Sequence, residues 1–151
     1  MKKIKVGFLP LYIKLYDDTG SDRSCQEKYM NMCINMLESY GIEVMPATQV
    51  CRIAPEFEVE VARFNEADVD AVVTFHLAYH PSLESIESLL KLKAPIIVFD
   101  STPHYELIEA ARYEGRIGPN HGIHGVQVCA TCSSATASPT TSVPAMPCTA
   151  K

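Results

Sequence analysis

No stretch of this 151-residue chain approaches the roughly 20 consecutive apolar residues that cross a bilayer. Surplus positive charge is missing too. The formal net charge is -5, which gives no general attraction to nucleic acid or to an anionic membrane, so neither is expected as a partner. There is no phosphate-cradling loop: Gly7 lies within an apolar run, and Pro10 stands where a G-x-G-x-x-G turn would be needed. A nucleophile elbow is absent as well. The opening MKKIKVGFLPLY pairs lysines with apolar residues as a signal peptide does. Pro10 breaks its apolar run, Lys5 and Lys14 interrupt it, and no small-residue cleavage site follows, so it reads as a first strand. Six cysteines are present without disulfide-like spacing, and a reduced, cytoplasmic setting is expected.

What remains is a globular composition, 47% hydrophobic and 21% charged, in a chain long enough for one domain with a real core. IKVGFL (4–9) is short, apolar and strand-favouring. Asp22 or Ser21 can cap a helix with Tyr29, Cys33, Met36, Leu37 and Tyr40 at helical spacing, and Gly41 stops it. IEVMPA is the second strand. Pro55 opens a helix with Phe57, Val61 and Phe64 on one face, and DAVVTF (70–75) follows as the third strand. After Pro81 a helix with Leu83, Ile86 and Leu90 is predicted, then PIIVF (95–99) as the fourth strand and a shorter helix around Tyr105 to Tyr113.

Strands that are apolar throughout and alternate with helices predict an α/β fold. The expectation is a doubly wound, mostly parallel sheet of the Rossmann or flavodoxin-like kind, with about four βα units over residues 1–127. Residues 128–151 differ: Ala, Ser, Thr, Pro and Cys dominate, Lys151 is the one charge, and no period is visible. This tail is predicted to be disordered, because it has too little apolar surface to offset its ordering entropy. Its Cys129-Ala-Thr-Cys132 has the C-x-x-C form of a redox couple or half a zinc site. It does not open a helix after a first strand, and no base or dipole nearby would lower a thiol pKa.

Ligands of open α/β sheets bind outside the carboxyl ends of the strands. Those ends carry Tyr12, Asp17 and Asp18, then His76 and His80, then Asp100, Ser101, Thr102 and His104, and the loop GRIGPNHGIHG adds His121 and His124. A small-molecule crevice follows from that gathering, although wet loops are polar in any case. His76-x-x-x-His80 has zinc-helix spacing, but a strand end followed by Pro81 keeps both rings off one helical face. Asp17-Asp18 has the form of a receiver-domain acidic pair, yet His76 stands where the acceptor aspartate would be. No metal site and no catalytic residue is expected in this chain.

KVGFLPLYIKLYDDTGSDR, VDAVVTFHLAYHPSLES, KAPIIVFDSTPHYE and NHGIHGVQ, in that order, resemble the amino-terminal domain of the L-fucose and L-arabinose isomerase superfamily over residues 3–127. The resemblance implies an oligomeric aldose–ketose isomerase of carbohydrate metabolism. It also implies a divalent metal, usually Mn2+, held by Glu, Asp and His of later domains, downstream of the last residue here. By the same resemblance His124-Gly125 matches a His-Gly pair that helps bind sugar in a neighbouring subunit. His76 has a counterpart as well, and Tyr12 joins them as a candidate substrate contact. His124 could equally order its loop into the next helix.

Members of that superfamily continue after HGVQ with an amphipathic helix, typically Asp-Met-Cys-Asn-Leu-Leu. Val-Cys-Ala-Thr-Cys-Ser can be written GTA TGT GCA ACC TGC TCC, and one base restored gives GAT ATG TGC AAC CTG CTC, which encodes that helix. Part of the match is forced. Codons for Cys129 and Cys132 shift only to Leu, Met or Val, and that for Thr131 to Tyr, His, Asn or Asp. The tail is therefore expected to be out of frame, a natural tail being the alternative. The functional expectation is an amino-terminal isomerase fragment, inactive alone, or else a stand-alone sugar- or metabolite-binding module.

Overall fold

The computed structural model describes residues 3–101, 121–135 and 140–144. The predicted helix at 105–113, together with Thr102 and His104, lies outside the described residues.

The first strand, β1 (Lys5–Leu11), leads through a short helix α1 (Lys14–Asp18) to α2 (Ser24–Ser39), β2 (Glu43–Pro46) and α3 (Ala54–Glu66). There follow β3 (Ala71–His76), a 3-10 turn over Ser82–Glu84, α4 (Ile86–Leu89), β4 (Ile96–Asp100), α5 (Gly122–Ala135) and β5 (Thr140–Pro144). The strands form one sheet in the order β2-β1-β3-β4-β5, and every pairing is parallel. This is the doubly wound α/β arrangement predicted from the alternation of apolar strands and helices. Its order reverses between β1 and β3, which makes that junction the switch point where such sheets open a crevice.

Strand periodicity divides the core in two. Leu9, Leu11, Val72, Ile96 and Val98 face Phe57 and Phe64 of α3, Leu89 of α4, and Val126 and Cys129 of α5. Their alternates Val6, Phe8, Val73, Phe75, Ile97 and Phe99 face Tyr29, Cys33, Ile34 and Leu37 of α2. Gly7 is small for a reason: a Cβ there would lie 2.9 Å from the Phe64 ring. Among the described residues no helix is long and apolar enough to cross a membrane.

Three elements differ from the sequence prediction. The helix after Pro81 is only a 3-10 turn and one turn of α4, and Leu83 and Leu90 point to solvent. Its buried face is instead Ser82, Ser85, Ser88 and Leu89, because small serines at a spacing of three let the segment lie close on the sheet. Tyr40, predicted on the apolar face of α2, is 77% exposed at the end of that helix. The third difference concerns the last segments. His124 and Gly125 belong to α5 rather than to a loop, and α5 runs on to Ala135, past the point where sequence periodicity ends. Thr140–Pro144 then pairs with β4 along Ile96–Asp100.

Candidate functional site

Two groups of polar side chains flank Tyr12 at the switch point. Tyr12 follows β1 directly, and its backbone N–H donates to the carbonyl of Cys51 at 3.0 Å, tying the end of β1 to the β2–α3 connection. The Tyr12 carbonyl accepts from His80 Nδ1 at 2.9 Å. A carbonyl can only accept, so His80 carries its proton on Nδ1 and presents a lone pair at Nε2.

The imidazole group comes first. His76 ends β3 on the face covered by α3 and α5, and 3% of it is exposed. Its ring centre lies 6.4 Å from that of His80, and His80 packs on Phe57 at 5.0 Å. The first turn of α5 seats on His76. A Cβ on Gly122 would come 2.8 Å from the His76 carbonyl oxygen, and one on Gly125 would come 2.7 Å from the ring carbon Cδ2 and 3.1 Å from the His80 backbone nitrogen. Burial, with the neighbouring His80 adding to it, pulls the His76 pKa down to about 3, so the ring is neutral. Burial also lowers His80, against the opposing pull of its bond to Tyr12. Neither ring nitrogen of His76, nor His80 Nε2, nor the hydroxyls of Thr74 and Ser82 has a hydrogen-bond partner among the described residues.

His121 directly precedes α5, and His124 lies in its first turn. They meet edge to face, centres 4.3 Å apart, and His121 also contacts Tyr79 at 5.8 Å. His124 is exposed in the first turn of α5, on the carboxyl edge of the sheet. Of the three expected substrate contacts, then, His124 is at the surface. His76 and Tyr12 are buried.

Of the second group, Asp17 alone was singled out from the sequence. Asp17 of α1 accepts through a single oxygen from Arg23 at 2.6 Å and from Arg52 at 2.8 Å. Arg23 also donates to Glu27 at 2.6 Å, and Arg52 donates to both oxygens of Glu56. Glu56 in turn accepts from the Arg52 and Ile53 backbone, closing the amino end of α3. Hydrogen bonds from Arg52, acting against burial, hold the Glu56 carboxyl below its usual range. The Arg23 guanidinium lies 5.7 Å from the centre of the Tyr12 ring, which burial and then Asp17 push above an ordinary phenol pKa. A cleft of about 440 Å3 opens beside this network, lined among others by Arg23, Glu27, Met30, Gln49, Val50 and Arg52. Asp18 takes no part: it pairs with Lys14 in solvent.

Ser101 exchanges a hydrogen bond with the Tyr29 hydroxyl at 2.5 Å, and burial raises the Asp100 carboxyl above its ordinary value. Cys129 is 1% exposed in the core against the sheet, which is a packing position and not that of a reactive thiolate. His76 and His80 do not converge: His80 Nδ1 is engaged by Tyr12, and the His76 ring lies flush on Gly125. Among the described residues no cluster of three or more His, Cys, Asp or Glu side chains could hold a metal ion. The manganese implied by the resemblance has no donor set among them. Neither models of known protein families nor curated proteins match the chain, so its site is read from its own geometry.

Proposed function

We propose that this chain is the amino-terminal domain of an aldose–ketose isomerase of the L-fucose and L-arabinose type, acting in the cytoplasm within a homo-oligomer. In this proposal the carboxyl edge of the sheet presents His124 to a sugar held in a neighbouring subunit. The observation that carries the reading is the placement of His124 itself: exposed, at the start of α5, on the edge where open α/β sheets take ligands, and braced by His121. An imidazole there can donate to or accept from a sugar hydroxyl. Metal binding and proton transfer between the sugar carbons belong to later domains, so this chain alone carries no catalytic step.

The pattern of α5 supports the out-of-frame reading of the tail. Val126 and Cys129 are buried, while Val128 is 43% exposed and Thr131 is exposed. The restored frame would put Asp at position 128, Met at 129 and Asn at 131, which suits a wet, a buried and a wet position in turn.

The second reading, a stand-alone sugar-binding module, is favoured by the cleft beside Arg23 and Arg52. Calorimetric titration of the isolated chain with pentoses, hexoses and 6-deoxyhexoses separates the two. No saturable heat is expected, because the pocket needs the neighbouring subunit. Saturable binding by the chain alone would replace the isomerase-domain proposal with the module.

A further inference from the structure

We infer that the cleft between α2 and the β2–α3 connection is a binding site for a small zwitterion of the α-amino-acid type, on the same carboxyl edge of the sheet as His124 but lined by other residues. The inference goes beyond the isomerase reading and does not need it.

Charge defines the ligand class. Two guanidinium groups, Arg23 and Arg52, meet three carboxylates, Asp17, Glu27 and Glu56, in one connected network. A lone anion entering the cleft meets a net negative surrounding, and a lone cation must compete with guanidinium groups already in place. A ligand with one charge of each sign adds no net charge and can satisfy both. The unused hydrogen-bonding positions match such a ligand. Arg23 spends Nε on Glu27 and Nη1 on Asp17, leaving Nη2 outside these bonds, and a guanidinium fork suits a carboxylate. Glu27, which lines the cleft, uses Oε1 for Arg23, leaving Oε2 outside that bond as an acceptor suited to an ammonium group.

Two further features fit. The network is pre-organised: both arginines are fixed by Asp17, and their side chains are 29% exposed, so little side-chain entropy remains to be lost on binding. Met30 and Val50 line the cleft beside the charges, giving a short apolar side chain a surface to cover, and Gln49 adds an amide. At about 440 Å3 the cleft is of the size that encloses a small ligand.

The test is isothermal titration of the full chain with valine, with 3-methylbutanoate, which lacks the ammonium group, and with 2-methylpropylamine, which lacks the carboxylate. Valine is expected to bind, and each one-charge analogue to bind about tenfold or more weakly. Glu27→Gln should weaken valine by a similar factor, and Glu27→Asp, which keeps the charge, should weaken it less. That comparison still reads out if removal of the charge disturbs α2. Absence of valine binding, equal binding of either analogue, or displacement of valine by a pentose would overturn the inference. Displacement by a pentose would also favour the stand-alone module over the isomerase domain, whereas the other outcomes do not bear on His124 in an assembled isomerase.

Discussion

His76 is the residue whose burial has the plainest consequence in solution. In the unfolded chain its imidazole titrates near 6.5, and in the fold desolvation holds it near 3. As pH falls the unfolded state takes up the proton first. The stability tied to neutral His76 is therefore complete above about pH 6.5 and is lost progressively as pH falls toward 3. His80, lowered by burial, acts in the same direction. Urea denaturation between about pH 7 and pH 5 should show wild type losing about 1 kcal/mol per pH unit more than His76→Gln. Parallel curves would mean that His76 is not buried as described. At this scale the sequence was a partial guide. A strand-end position was enough to single out His76, because strand ends follow from apolar periodicity, whereas His124 was singled out by its loop and by the family resemblance. Arg52 escaped notice because its partner Asp17 is 35 residues away, and nothing local marks a contact made only by folding.

Among the elements, α5 depends most on a pair of glycines. Gly→Ala within a helix normally adds about 1 kcal/mol of helix propensity. Here Gly125→Ala drives a methyl into the His76 ring, and Gly122→Ala drives one into the His76 carbonyl oxygen. Each substitution is expected to cost about 1–3 kcal/mol by overpacking. The two should respond differently to a second change. Truncation by His76→Ala removes the ring that Gly125→Ala strikes, so the double variant should recover much of the loss. It leaves the carbonyl that Gly122→Ala strikes, so no recovery is expected there. Denaturant melts of the three single and two double variants would show it, and equal behaviour of the two glycine positions would refute this docking of α5. Neither glycine's role could be read from sequence, where both sat in a predicted loop. The helix begins there because the end of β3 accepts a bare backbone. Leu83 and Leu90 misled for a related reason: over so short a helix, three serines that fit the sheet outweigh the apolar period.

For the molecule as a whole, alternation of apolar strands and helices was enough to predict a parallel, two-faced sheet. Strand order was not legible, because all the crossovers look alike along the chain. It is the order β2-β1-β3-β4-β5 that puts Tyr12 and His76 side by side and makes their junction the switch point. The proposed role of that edge, to offer His124 to a sugar in an adjoining subunit, is tested most directly by steady-state isomerisation. The measurement compares a full-length isomerase carrying this domain with its His124→Ala variant, both with Mn2+ and the preferred aldose. Loss of one hydrogen bond to substrate should raise KM about tenfold, with a smaller effect on kcat and an unchanged oligomer. An unchanged KM and kcat would contradict the proposal and leave His124 as a residue that only orders the start of α5.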